Sequence, residues 1–203
     1  SNYYVIAYQG ESQDTTSTII SWLHIDILDK TSNNVVKSYI YESTALHRYL
    51  MVCVDSRYLH VYQSLSGGST LPRMFVIDTL ALPTGPVLSP TFVNFTSSAA
   101  GDVVAGAVAI TNNSVAVITG TNNRIERFSN TPASAANAAV AGYTTITGLD
   151  TDGANFYVVG RLKTLTEPST VNLGLWSRGS FTASPWAGVA SAGSSGAKTL
   201  VDG

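Results

Sequence analysis

Residues able to do chemistry are few in this chain, and none falls into a complete catalytic pattern. Asp150-Thr151-Asp152-Gly153-Ala154-Asn155 sets oxygen ligands at alternate positions beside a glycine, as the start of a calcium loop does. The downstream acidic ligand such a loop needs is missing, because Phe156-Tyr157-Val158-Val159 fills its place, so a plain turn is favoured and no cofactor is expected. His24 and Asp26 lie two apart on one predicted strand and share a face with Trp22, as an acid/base pair or as a structural one. His47 and His60 fall in other segments with no nucleophile motif beside them and read as structural or surface histidines. Glu126, between Arg124 and Arg127, reads as part of a water-facing charged strand. Asn94-Phe95-Thr96 and Asn112-Asn113-Ser114 are triplets that accept N-glycans in a secretory setting.

The rest of the composition explains why chemistry is sparse. Charged residues make up only 12% of 203 residues, and the net charge of −2 gives no basic footprint for nucleic acid. No apolar run is long enough for membrane insertion as a helix. The lone cysteine, Cys53, sits in an apolar run and is expected to be a small core residue. Sparse charge with abundant Ser, Thr and Asn suits an extracellular or particle-surface protein. The start at Ser1, without an initiator Met, fits a processed chain or part of a longer one.

A repeating unit must position these residues. Apolar centres at Val5, Val61, Val117 and Val158 follow polar turns at intervals of 56, 56 and 41 residues, and wrapping past Gly203 to Val5 adds 50. Asp202-Gly203 followed by Ser1-Asn2-Tyr3-Tyr4 repeats the internal Asp152-Gly153 turn and its strand. Before each centre a short strand is predicted: Leu50 to Val54, Ala107 to Ile110, Tyr143 to Ile146, and at the far end Ala197 to Val201. After each comes a third strand, Ile19 to Ile25, Arg73 to Ile77, Arg124 to Phe128 and Val171 to Trp176, with a polar stop at Asp26, Asp78, Ser129 and Ser177. A weaker fourth strand follows near Val35 to Tyr41, Val87 to Val93, Ala138 to Val140 and Trp186 to Val189. Ala133 to Val140 is alanine-rich yet lacks the cap or charged face of a helix.

The stretch Val54-Asp55-Ser56-Arg57-Tyr58-Leu59-His60-Val61-Tyr62, with Met74-Phe75-Val76-Ile77-Asp78-Thr79-Leu80, resembles the repeat of surface-layer-type propellers named for a Tyr-Val-Thr-Asn motif. Leu23-His24-Ile25-Asp26 resembles the same strand ending, whereas the tetrad itself is absent. The resemblance implies a propeller, often extracellular, that serves as a binding or structural surface.

The expectation is therefore an all-β chain, one β-propeller domain over 1–203 of about four four-stranded blades. Its units are approximately 1–46 plus 194–203, 47–100, 101–142 and 143–193, closed by the C-terminal strand joining the N-terminal blade. The function expected is structural or recognition work on a protein or glycan partner, with homo-oligomer, filament or particle assembly included. Loops at Glu11 to Thr18, Leu65 to Leu71 and Leu165 to Thr170 would face the partner, and the many tyrosines and tryptophans would pack between blades more than stack on sugars. A secreted hydrolase or lactonase-like enzyme with an axial site is the alternative. It calls for titratable residues at the axial ends of the inner strands, where this chain offers mainly Ala, Val, Ile, Leu and Thr.

Overall fold

A computed structural model describes residues 2–162, apart from 14, 66–67, 82–84, 97, 141–142 and 154, and the strand at 172–177. The chain is all-β, with four antiparallel sheets and no helix among the described residues. The first sheet holds β1 (Tyr3–Gln13), β2 (Ile19–Asp29) and β3 (Val35–Ser43). The second holds β4 (Arg48–Val54), β5 (Tyr58–Ser64), β6 (Arg73–Asp78) and β7 (Val93–Asn94). The third holds β8 (Val103–Ile110), β9 (Asn113–Thr119), β10 (Arg124–Ser129) and β11 (Ser134–Ala139), and the fourth β12 (Tyr143–Thr151), β13 (Asn155–Leu162) and β14 (Asn172–Ser177). Within every sheet the strands lie side by side in chain order.

Three apolar clusters join the sheets in sequence. Leu23, Ile25 and Ile27 of the first sheet meet Leu59, Val61 and Phe75 of the second. Tyr62 and Met74 of the second meet Ala116, Ile118 and Phe128 of the third, and Val115 and Val117 of the third meet Ile146, Phe156 and Val158 of the fourth. β5 and β9 are consequently covered on both faces and buried at every position after the first, which is why their sequences run apolar without alternation. Among the described residues only one face of β1 is covered, and its burial alternates over Tyr3 to Tyr8.

Strand pairing gives the repeat a different register from the valine spacing. Tyr3 lies opposite Asp29, Tyr58 opposite Asp78, Asn113 opposite Ser129 and Asn155 opposite Ser177. The equivalent residues are therefore 3, 58, 113 and 155, in steps of 55, 55 and 42. Val5 and Val117 face the following sheet while Val61 and Val158 face the preceding one, so the valines are not equivalent. A one-residue slip in a strand exchanges its two faces. The true set is Ile6, Val61, Ala116 and Val158, and the polar stop of the first sheet is Asp29, not Asp26, because β2 runs past Ile25 to Asp29.

Three further expectations are corrected. Val87 to Val93 is not a strand: β7 has two residues, and Val87 instead forms a parallel bridge with Ile40 of β3. Cys53 is exposed, since it lies on the β4 face turned toward the first sheet, where no described strand precedes β1 to cover it. Glu126 is fully buried, because both faces of β10 are covered by neighbouring sheets. The alanine-rich segment is the strand β11. Trp186 to Val189, Leu165 to Thr170 and Ala197 to Val201 lie outside the described residues.

Replacing Phe128, which packs edge-on against Tyr62 and Phe95, by Ala should cost about 3–5 kcal/mol of unfolding free energy. Val35→Ser, at an exposed position of β3, should stay within about 0.5 kcal/mol. Urea denaturation of the two variants checks both.

Candidate functional site

Burial of the inner strands on both faces forces any polar group there to find a partner, within its own sheet as Gln63 does with Tyr49 and Arg73, or across a sheet interface. At each of the three interfaces a polar side chain of β1, β5 or β9 holds the first strand of the next sheet. Gln9 Oε1 accepts from the Tyr49 amide at 2.8 Å, Ser64 Oγ from Val104 at 3.2 Å, and Thr119 Oγ1 from Ile146 at 2.8 Å. The three acceptors stand at 9, 64 and 119, again 55 apart, and this spacing of polar residues is the sequence signal that could have found them.

The densest polar group lies between the second and third sheets. His60 Nε2 contacts Asn130 Oδ1 at 2.9 Å, and because an amide oxygen can only accept, Nε2 carries the proton. Nδ1 of the neutral ring then accepts from Ser114 Oγ at 2.5 Å, and Ser114 in turn accepts from the Tyr62 hydroxyl at 2.5 Å. Asn130 Nδ2 reaches Asp55 Oδ2 at 3.4 Å, and the same carboxylate oxygen takes the Asn112 amide at 2.8 Å. Burial pushes the His60 pKa down, against the opposing pull of Asn130 and Asp55, and pushes the Tyr62 hydroxyl up. A serine, a histidine and an orienting amide thus stand in the order of a nucleophile, its base and its support. Ser114 and His60 are fully enclosed, however, so the arrangement as it stands holds two sheets together and offers no open position to a substrate. Beside it, Glu126 accepts from Thr96 N at 2.8 Å and Thr96 Oγ1 at 2.9 Å.

His24 and Asp26 do meet: His24 Nε2 donates to Asp26 Oδ1 at 3.0 Å, and Ser38 Oγ donates to the same oxygen at 2.5 Å. Tyr8 stacks on the imidazole with centroids 4.7 Å apart and meets Trp22 edge-on, while the Trp22 ring lies across Gly10 on the paired strand. Burial, followed by the Asp26 charge, raises the Tyr8 pKa. The cluster occupies the uncovered face of the first sheet together with Tyr4 and Ile6.

The remaining predicted positions serve local structure. Asp150 Oδ1 accepts from Thr151 N, whereas Asp152 accepts from Asn155 N at 2.6 Å and from the Tyr157 hydroxyl at 2.6 Å. The two carboxylates therefore make separate turn contacts, and no group of three acidic, His or Cys residues fit for a metal occurs among the described residues. Asn94 and Asn112 are both exposed, yet their triplets differ. Ser114 is locked under His60, so glycan transfer at Asn112 would have to precede folding. His47 is buried, its Nδ1 donating to the Ala45 carbonyl at 3.1 Å, and burial followed by the Arg73 charge lowers its pKa. No helix of the described residues is long and apolar enough to cross a membrane.

Comparison with known proteins gives no matching family model and no matching curated protein.

His60 and His47 both have folded pKa values below the unfolded value of about 6.5, so over that window the unfolded chain binds more protons. Stability should be at its full value above about pH 7 and fall as pH drops through 6.5, by at most about 1.4 kcal/mol per pH unit for each histidine. His60→Asn should remove its share of this slope and leave that of His47. Urea titrations between pH 5 and 8 check it, above the range in which Asp29 and Asp78, lowered by backbone amides and by Arg57 respectively, take up protons.

Proposed function

We propose that the chain is a propeller-type structural and recognition module of an extracellular or particle surface, its sheets acting as successive blades and its partner a protein or a glycan. One observation carries this reading. Tyr4, Ile6 and Tyr8 stand 55 residues before Leu59, Val61 and Gln63, and 110 before Ser114, Ala116 and Ile118. All six of those counterparts are buried against the preceding sheet, whereas Tyr4, Ile6 and Tyr8 are 51%, 49% and 42% exposed. The first sheet thus carries a receiving face like those of the second and third.

The fourth sheet is the occupant that completes a ring. Gly106 is where β8 meets β12: a Cβ there would lie 2.8 Å from the Leu149 amide. Its counterpart 42 residues on, Gly148, has open space at the same position, as the last blade of an unclosed ring would. Ala197 to Val201, outside the described residues, aligns in sequence with Leu50 to Val54 through the Val-Asp pair that closes each run. In this reading the Tyr8, Trp22 and His24 cluster is interface filling, not a sugar platform. Recognition is left to loops on a rigid frame whose internal polar groups are engaged in holding sheets together.

In a Cys53→Ser background, maleimide should label Ile6→Cys at least about 100-fold more slowly than Val35→Cys, at all protein concentrations. Equal rates would remove the ring. Protection that fades on dilution would replace it with an assembly of copies. A glycan array and a peptide panel, both flat, would count against the recognition role.

A further inference from the structure

The second sheet lacks most of its outer strand, and the geometry points to an extended, uncharged peptide with small side chains as what binds there. In the third sheet β11 pairs with β10 from Arg124 to Phe128. In the second, β7 reaches only Arg73 and Met74 of β6. The following chain is used elsewhere: Ile40 N donates to Pro86 O and Leu88 N to Ile40 O, both at 2.9 Å, which ties residues 86–88 to the first sheet. Among the described residues Phe75 to Ile77 are left with a bare outer edge, which ends at Asp78, whose carbonyl accepts from Ala81 N at 3.1 Å.

Which groups that edge presents follows from the alternation of an antiparallel ladder. Pro72 O accepts from Phe95 N on the outer side, and Thr79 N donates to Arg57 O on the inner side. Even-numbered residues therefore point outward, and Val76 turns its N–H and C=O to the bare edge, where no strand pairs with it. A cleft of about 760 Å³ opens there, between Val87, Leu88 and Pro90 on one wall and Thr131 and Pro132 of the third sheet on the other. Strand addition to such an edge gives affinity through main-chain hydrogen bonds and selectivity through alternate side chains.

The class of peptide is read from the strand in the equivalent place. β11 is Ser134-Ala135-Ala136-Asn137-Ala138-Ala139, uncharged and mostly alanine, as suits a strand at this edge position. Asp78, the acidic residue of the cleft, is already held by Arg57 through two contacts of 2.8 and 2.6 Å, so the wall offers no free charge for a basic peptide. This inference rests on the recognition reading and narrows it to a protein partner and one site.

The test is to pan a phage-displayed library of random nonapeptides on the full chain, then follow the synthesised consensus peptide by fluorescence anisotropy and hydrogen exchange. The expected result is a consensus of alternating small, uncharged residues and slowed exchange at the Val76 amide when the peptide is bound. Thr131→Arg, at an exposed turn position, should weaken binding at least about tenfold, whereas Thr131→Ser should leave it unchanged. No consensus, or binding indifferent to Thr131→Arg with Val76 exchange unaltered, overturns the site. In the latter case peptides bind elsewhere and the broader recognition reading survives. Glycan binding without peptide binding overturns the peptide class.

Discussion

Coverage of the inner strands on both faces is the constraint on which the rest of this structure depends. β5 and β9 lie between neighbouring sheets, so every side chain they carry must either pack or find a partner within reach. Most pack. Of the exceptions, His60, Ser64, Ser114 and Thr119 bond across an interface and thereby fix the register of one sheet against the next, while Gln63 bonds Tyr49 and Arg73 within its own sheet. Their hydrogen bonds are worth little individually against water, but leaving any of them unmade in an enclosed interface would be costly. The polar groups therefore select the register, while the apolar clusters supply most of the cohesion.

That division explains why a chain with few charges has so little chemistry to spare. Asp55, Asp78, Glu126, His47 and His60 are each committed to a turn, a strand end or an interface. The Ser114, His60 and Asn130 sequence shows how close a structural network can come to a catalytic one. What separates them is access, since the serine oxygen faces a tyrosine hydroxyl and a ring nitrogen with no room for a substrate. What the interfaces leave outside, among the described residues, are loops, sheet edges and one face of the first sheet.

The sequence made the strands legible because their enclosure wrote itself into composition. Runs such as Val115-Ala116-Val117-Ile118 admit hardly any reading but a strand covered on both sides, and the polar turns between runs mark the unit. The fourth strand of the second sheet was misread because Val87 and Leu88 have strand-like side chains whose backbone partners belong to another sheet. Glu126 was misread because a charged residue between two arginines looks solvated until Thr96 is brought in from 30 positions away. Of the candidate sites, the His24 and Asp26 contact was readable from spacing alone. The His60 network joins positions 55, 62, 114 and 130 and leaves no local trace.

By itself the sequence determined the all-β class, the repeating unit and the turns, since these depend on local preferences and on periodic burial. Tertiary structure alone decided the register of 55, 55 and 42, because aligning valines cannot tell which face of a strand each one occupies. It also decided which polar residues are enclosed and which edge stays bare. Both are set by the sheet that arrives alongside, and that sheet is encoded tens of residues away.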